Sequence, residues 1–406
     1  MKACLGYKTR RDRDIFLLCW LAYSATYICR LNFSSVIPSL ISGNVLSENL
    51  IASVSSAFFI CYGLGQIVSG IIGDRLDTKY MVFCGVLLSS ISNILIFFFH
   101  SYPLLLTLWA ANGLFQSLVW SPILKLASLQ YDEETKDKFG MQMSTTVPVG
   151  TVLSYAVSLI TMLFLPWKYV FLVCGVILAA VSFVWLFGTG KLHLNGKDTA
   201  KKEPIKLGKS VKILICGGVP VLLIPIIVQG TLKDSVTQWV PEFFSSQFGS
   251  GVSFSLLLTM ILPIINVSGA FIAEKVNNKL HSEAKTSAVF FAASFVFLII
   301  LFISAGKSLI LSLISMVAVT NCMFAVNVML ITIVPLRFAK HGNVSTAAGI
   351  LNATAYIGCA AMNQVAGELL QSKTWNSVII FWLALSVIAT LFCLFGGKTK
   401  HNNETR

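Results

Sequence analysis

The chain alternates between long apolar stretches and short polar connections. Apolar windows recur twelve times along the 406 residues, and each has the roughly 20 residues that a helix needs to cross the hydrocarbon core of a bilayer. The expected spans are 15–41, 49–72, 80–99, 103–130, 142–164, 168–188, 217–246, 252–274, 286–304, 308–334, 345–370 and 376–396. The pattern predicts an all-α membrane protein with twelve transmembrane helices, inserted in the plasma or inner membrane.

Basic residues are unevenly distributed among the polar connections. If both termini lie on one side of the membrane, the segments on that side contain 24 Lys and Arg residues and those on the other side contain three. Short cytoplasmic segments carry such an excess of positive charge. The bias therefore predicts that both termini and the 189–212 connection are cytoplasmic. It also explains the net charge of +13 without a nucleic acid partner.

Composition supports the same class of protein. Hydrophobic residues make up 56% of the chain and charged residues only 12%, which no soluble domain shows. The ten cysteines contain no CxxC pair, so neither a zinc site nor a disulfide framework is expected. The first apolar segment is too long for a cleaved signal peptide, and we expect it to remain as the first span.

The longest polar connection divides the spans into two sets of six. We predict an N-terminal half at 1–188, a cytoplasmic linker at 189–212 and a C-terminal half at 213–406. The halves repeat features weakly: Arg30 in span 1 is matched by Lys233 in span 7, at an offset of 203 residues. Pseudo-symmetric halves would bring both cations to the membrane midplane.

Arg30 is the first candidate for a binding residue. It lies about 22 Å along the helix from Ile15, too deep to reach water easily. Burying its charge costs from about 3 to well over 10 kcal/mol, so such residues usually face a cavity or a helix interface. Its helix face also carries Tyr23, Thr26, Tyr27 and Ser34. This stripe predicts an anion site; the alternative is a structural arginine bonded to carbonyls or to a carboxylate of another helix.

Span 7 supplies the second candidate cation. Gln229, Lys233 and Thr237 share one helix face, because residues four apart lie above one another. We predict that Lys233 is the second anion ligand. The alternative is a pair with Asp234, which we expect to form only indirectly, since adjacent helical side chains diverge.

Polar stripes in other spans are further candidates for substrate contacts. They comprise Asn112, Gln116 and Trp120 in span 4, and Asn352 and Tyr356 in span 11. Each group could bind substrate hydroxyls or make hydrogen bonds between helices. Lys125 lies near the cytoplasmic end of span 4, where a long side chain can reach water. We assign it to the entry side.

Two motifs resemble a known family. The connection after span 2, Gly70-x-x-x-Asp74-Arg75-x-x-x-Lys79, resembles the signature loop of the major facilitator superfamily, although Asp77 stands where a glycine is usual. The run Tyr23-x-x-x-Tyr27-x-x-Arg30-x-Asn32-Phe33 resembles its organophosphate:phosphate antiporter branch. The resemblance implies a gating role for the loop, alternating access, and exchange of glycerol phosphate or hexose phosphates for inorganic phosphate.

Spans 4 and 7 extend this resemblance, with differences. The span 4 stretch from Asn112 to Lys125 is similar to the branch, with Lys125 at a branch arginine. Lys233, followed by Trp239-Val-Pro241, stands at the branch's second substrate arginine and lacks its bidentate fork. Other branch residues are also replaced; the positions concerned are Leu31, Gln66 and Val147. The expected site is less cationic, so a carboxylate rivals the phosphomonoester as substrate.

These observations predict a secondary transporter for a small organic anion. No catalytic motif and no nucleotide-binding P-loop is found, so we expect neither an enzyme nor a cofactor. We expect a monomer whose partners are the anionic substrate and the lipid bilayer. Two alternatives stay open: a proton-coupled symporter for a carboxylate or another organic anion, in which Asp234 takes up the proton, and a sensor built on the transporter fold.

Overall fold

The expected helices are present in the computed structural model, which describes residues 7–73, 76–132, 135, 139–140, 142–192, 219–334, 344–372 and 374–403. Within these ranges the chain forms twelve long helices and no strand. In the first half they are α1 (Arg10–Ser42), α2 (Glu48–Gly73), α3 (Thr78–Phe98), α4 (Tyr102–Gln130), α5 (Thr146–Phe164) and α6 (Lys168–Lys191). In the second half they are α7 (Val219–Gly230, then Thr231–Ser235 and Val236–Phe248), α8 (Val252–Leu280), α9 (Glu283–Ser304), α10 (Leu309–Asn327, then Val328–Ile333), α11 (Val344–Ser372) and α12 (Trp375–Asn403).

The described helices have the length and surface of membrane spans. Ten of them are long and apolar enough to cross a bilayer. The other two are α7, in which α-helical stretches of 12 and 13 residues flank a π-helical one of five, and α11. Large apolar side chains such as Phe164 and Ile310 are exposed. This exposure suits lipid, whose tails are as apolar as the side chains.

Packing divides the chain into two compact units. The first comprises Met1–Val36 and Leu64–Lys202, and the second comprises Ile37–Gly63 and Glu203–Arg406. The end of α1 and most of α2 thus pack with the second half of the chain. The sequence halves at 1–188 and 213–406 remain a prediction, and the packing differs from them chiefly at residues 37–63.

Close packing of small residues fixes α1 within the first unit. A Cβ atom at Gly150 of α5 would clash with the carbonyl oxygen of Ser24 in α1. The hydroxyl of Ser154, one turn further, donates to the carbonyl oxygen of Ile28 at 3.1 Å. Small residues permit this approach of two backbones, as at many interfaces between membrane helices. The α5 helix thereby holds the part of α1 that leads to Arg30.

Polar side chains at the helix ends form a helix cap and an ion pair within the first unit. Asp77, at the usual family glycine, caps α3: its carboxylate accepts from the backbone N–H of Lys79 at 2.9 Å. Lys8, before α1, pairs with Asp132, after α4. The hydrogen bond from Lys8 lowers the pKa of Asp132 from its ordinary value of 3.8 to about 2. This carboxylate therefore stays ionised at physiological pH.

Candidate functional site

The first candidate cation follows a break in α1. Cys29 has φ −94° and ψ 18°, outside the α-helical region, and the backbone N–H of Phe33, four residues later, donates to Oδ1 of Asn32 at 3.0 Å. A buried carbonyl needs a partner, and here two side chains of α4 provide it. Asn112 donates to the Cys29 oxygen at 2.8 Å and Gln116 donates at 3.0 Å. The break and its two partners set the direction in which Arg30 leaves the helix.

Arg30 is almost completely buried, with 8% of its surface exposed. Its Nε donates to Oε1 of Gln116 at 3.0 Å. Its guanidinium carbon lies 4.7 Å from the ring centroid of Tyr27, within the range of a cation–π contact. Both groups are neutral, so neither cancels the positive charge.

Aromatic rings extend this cluster along α1 and α4. The ring of Tyr23 lies 5.7 Å from that of Tyr27 and 4.5 Å from that of Trp120, between centroids. The structure thus brings together six of the predicted site residues. They are Tyr23, Tyr27, Arg30, Asn112, Gln116 and Trp120.

The amides of this cluster also connect three helices. Asn112 is fully buried; its Oδ1 accepts from the hydroxyl of Ser89 in α3 at 2.5 Å and from Nε2 of Gln116 at 3.2 Å. These contacts match the interhelical role that the sequence left open for both residues. The side chain of Gln116 already bonds to Arg30 and to the carbonyl of Cys29 in α1. A substrate that contacts Gln116 would do so in addition to these bonds between α1 and α4.

The second candidate cation lies in the π-helical segment of α7. Nζ of Lys233 is 3.3 Å from Oδ1 of Asp234, and both side chains are about three-quarters buried, with 22% and 26% exposed. The expectation that this pair would form only indirectly is wrong. A π-helix bonds residue i to i+5 and places more residues in each turn. Neighbouring side chains therefore diverge less than in an α-helix.

The other predicted residues of α7 contact the protein itself. Nε2 of Gln229 donates to Oδ1 of Asn327 in α10 at 3.2 Å. The hydroxyl of Thr237 donates to the carbonyl of Lys233 at 2.6 Å, inside the π segment. In these positions Gln229 connects α7 to α10, and Thr237 supplies a hydrogen-bond donor to the carbonyl of Lys233 in the irregular turn.

In α11, the ring of Tyr356 packs edge-on against that of Tyr62 at 4.8 Å, and Asn352 is partly exposed one turn earlier. Sequence reasoning missed Asn363 of the same helix. It is fully buried and hydrogen-bonded to α2 and α7. An amide within an apolar span was its visible signal, because such a group must be bonded.

Residues predicted for the entry and the gate lie elsewhere. Nζ of Lys125 is 3.5 Å from the carbonyl of Leu76 in the α2–α3 connection. Lys79 is partly exposed in the first turn of α3, and Gly70 lies in the last turn of α2. Asp74 and Arg75 fall outside the described residues. In the part of the chain that the structure covers, no three His, Cys, Asp or Glu side chains are grouped to hold a metal ion.

Comparison with known proteins decides the family. Residues 19–362 match the model of the Major Facilitator Superfamily. The chain belongs to this superfamily. The Escherichia coli membrane sensor protein UhpC is 22% identical over 94% of this chain and 90% of its own length. The Bacillus subtilis glycerol-3-phosphate transporter is 22% identical over 98% and 95%, respectively.

A further relative, the probable hexose phosphate transport protein of Chlamydia trachomatis, is 26% identical over 44% of this chain and 39% of its own length. The resemblance to the organophosphate:phosphate antiporter branch is thereby confirmed.

Solved structures confirm the fold. A bacterial homologue of the human lysosomal transporter Spinster superposes with a TM-score of 0.77 at 14% identity, covering 97% of this chain and 98% of that one. The xylose transporter XylE from E. coli gives a TM-score of 0.69 at 15% identity, covering 94% and 98%. The prediction of twelve transmembrane helices in the major facilitator fold is therefore correct.

Proposed function

We propose that this protein is a secondary transporter that carries a phosphorylated metabolite and exchanges it for inorganic phosphate. The observation that carries the proposal is the buried guanidinium of Arg30, which lies beside the amide of Gln116 and the ring of Tyr27 in a membrane span, where a charged side chain commonly marks a substrate or ion pathway. Relatives similar over nearly the whole chain include a glycerol-3-phosphate transporter. We place the protein in the plasma or inner membrane as a monomer, with both termini cytoplasmic.

In this proposal Arg30 and Lys233 are both anion ligands. A guanidinium holds two phosphate oxygens in parallel hydrogen bonds, whereas an ammonium acts as a point charge. Tyr23, Tyr27 and Trp120 then form the wall against the organic part of the substrate. Neither cation needs a cofactor for this role.

Proteoliposomes loaded with inorganic phosphate provide the test. We expect uptake of labelled glycerol 3-phosphate that depends on internal phosphate and is lost in Arg30→Ala. Arg30→Lys should retain binding at an affinity reduced about 10- to 100-fold, because it keeps the charge but not the fork. Lys168→Ala is the matched control, since Lys168 contacts the rings of Phe97 and Tyr169 at the start of α6. Equal exchange in all variants would refute the proposal.

The driving ion is tested at Asp234. Its carboxylate lies 3.3 Å from the ammonium of Lys233, and this contact fits a structural partner of the cation better than a proton carrier. Exchange should therefore survive in Asp234→Asn, and vesicles without phosphate should show little net uptake. Uptake driven by a pH gradient, and abolished by Asp234→Asn while binding persists, would establish the proton symporter instead.

A second candidate function is ligand sensing. The E. coli relative that matches 94% of this chain is named a membrane sensor protein. A sensor should bind glycerol 3-phosphate or phosphate through Arg30 without exchanging it. Saturable binding in detergent, together with no flux in proteoliposomes, would favour this function over transport.

A further inference from the structure

We propose that Asn363 is a positioning residue that couples the Lys233 segment of α7 to α2. The inference rests on the proposed transport function. Asn363 does not contact the anion in this proposal; it acts through the segment that carries Lys233. Its consequence is that this amide, bonded on both sides, favours the state in which α2 is closed against α7 and α11.

The amide of Asn363 bonds to both neighbouring helices. Its Oδ1 accepts from the hydroxyl of Ser235 at 3.2 Å and from the indole N–H of Trp239 at 2.8 Å, both in α7. Its Nδ2 donates to the carbonyl of Ala52 at 3.2 Å and to the hydroxyl of Ser56 at 3.5 Å, both in α2. The side chain is fully buried, and both of its polar atoms are satisfied.

The bonds on the α7 side reach the candidate anion site directly. Ser235 is the last residue of the π-helical segment Thr231–Ser235, two positions after Lys233. Thr237 bonds back to the carbonyl of Lys233 in the following turn. A displacement of the Lys233 segment on anion binding therefore changes the bond between Ser235 and Asn363.

The contacts on the α2 side close the interface around this amide. The hydroxyl of Ser56 donates to the carbonyl of Ala360 at 2.7 Å. Nε2 of Gln238 donates to the hydroxyl of Ser55 at 3.3 Å. At Gly367 a Cβ atom would clash with the side chain of Ala52. Small side chains thus allow α2 to lie close to α11, and the hydrogen bonds between these two helices form only at that short separation.

Alternating access requires such an interface to open and close. Residues 37–63 belong to the first six spans, yet they pack with the second half of the chain. When α2 separates, Asn363 loses its two acceptors on that helix and exchanges them for water in the opening cleft, so the net cost of each lost bond is small. Interhelical hydrogen bonds in membranes are individually modest. We therefore expect loss of this amide to shift the closed-to-open ratio about 3- to 30-fold.

The first experiment measures closure at α2. Ser55→Cys is introduced into a chain without native cysteines, reconstituted in proteoliposomes and treated with a thiol reagent that does not cross membranes. Ser55 is buried, so its replacement should react slowly. Adding Asn363→Ala should accelerate labelling about 3- to 30-fold, and Asn363→Gln should restore part of the protection if its amide reaches the same partners.

The matched control is Asn93, an equally buried amide in the first unit. It accepts from Nδ2 of Asn32 at 2.8 Å and donates to the carbonyl of Ser89 at 3.0 Å. Asn93→Ala should leave the labelling rate at residue 55 unchanged. Equal labelling rates in Asn93→Ala and Asn363→Ala would overturn the proposal.

The second experiment measures the coupling. Inorganic phosphate should alter the labelling rate at residue 55 in the otherwise unsubstituted chain, and Ser235→Ala should reduce that response by at least half. Asn363→Ala should lower exchange turnover per folded protein while phosphate affinity changes less than about threefold. A purely structural role would instead lower only the amount of folded protein. A full phosphate response in Ser235→Ala would overturn the coupling.

The proposed transport function and the positioning role of Asn363 can be refuted independently. If the unsubstituted protein binds and exchanges no anion, the proposed function is refuted, and the effect of Asn363→Ala on labelling without anion still decides closure. If exchange is normal and Asn363→Ala leaves both labelling and turnover unchanged, the positioning role is refuted and the transport function stands.

Discussion

At the scale of single residues, the two candidate cations have different electrostatic surroundings. Arg30 is next to an amide oxygen and a tyrosine ring, which support its charge without cancelling it. Lys233 has a carboxylate at 3.3 Å, which offsets its charge locally. If both cations bind the anion as proposed, the anion has to compete with the carboxylate of Asp234 at Lys233, whereas the amide of Gln116 and the ring of Tyr27 beside Arg30 are neutral.

This difference predicts how Lys233 responds to substitution. Lys233→Ala leaves the carboxylate of Asp234 partly buried without its cation, which is strongly destabilising. We expect a lower unfolding temperature, and recovery of most of it in the double variant Lys233→Ala/Asp234→Asn, measured with a thiol-reactive dye in detergent. The double variant should still bind phosphate weakly. A single variant as stable as the parent would show that the pair contributes nothing.

Replacing Lys233 by arginine should maintain or increase the affinity for phosphate. Lys233→Arg restores a planar fork that can bind two phosphate oxygens together. Half-saturation by phosphate in the exchange assay should therefore occur at an equal or lower concentration than in the parent. Lys168→Arg, at the start of α6, is the matched control and should leave this concentration unchanged. A loss of affinity in Lys233→Arg would argue against Lys233 as an anion ligand.

At the scale of helices, both cations lie at a departure from regular α-helix. In α1 the break at Cys29 precedes Arg30, and in α7 the π-helical segment contains Lys233. Such irregularities release backbone carbonyls, which side chains must then satisfy. Asn112 and Gln116 do so in α1, and Thr237 does so in α7. The irregular turns are thus part of the way each cation is positioned.

The break in α1 gives a second stability prediction. Asn112→Leu removes one of the two donors to the Cys29 carbonyl and the partner of Ser89. We expect a cost of about 1–2 kcal/mol, typical of a lost buried hydrogen bond, seen as a lower unfolding temperature. Leu124→Ala, at an exposed position of the same helix, should have a smaller effect. Equal effects would indicate that the bond to Cys29 does not support the break.

At the scale of the whole molecule, the distribution of charge predicts the orientation, and the packing determines which helices meet. The excess of Lys and Arg on alternate connections predicts which side of the membrane each connection faces. The packing groups residues 37–63 with the second half of the chain. Asn363, Ala52 and Trp239 meet through that grouping. The sequence halves alone do not indicate it.

Orientation can be tested by cysteine labelling in intact cells that express a chain without native cysteines. A cysteine at Asn195, in the longest connection and outside the described residues, should react with an impermeant reagent only after permeabilisation. A cysteine at Lys307, between α9 and α10, should react in intact cells. The opposite pattern would reverse the topology.

Most of the fold could be predicted from the sequence, because a membrane span is a local property. About 20 apolar residues suffice to define a helix of the necessary length, and the predicted window 308–334 nearly coincides with α10. The depth of Arg30 within its span was equally local. So was the grouping of Tyr23, Tyr27 and Arg30 on one helix face, because it follows from the period of the α-helix.

The tertiary structure alone decided where those helices are irregular and which helices touch. A carbonyl released at Cys29 is tolerable only because Asn112 and Gln116 of another helix reach it, and no pattern within α1 contains that information. The ion pair of Lys233 and Asp234 depends on a π-helical turn, and the hydrogen bonds of Asn363 join three helices at once. These features were not predictable because their free energies belong to contacts between distant segments of the chain, whereas the cost of placing an apolar or a charged residue in lipid belongs to the residue itself.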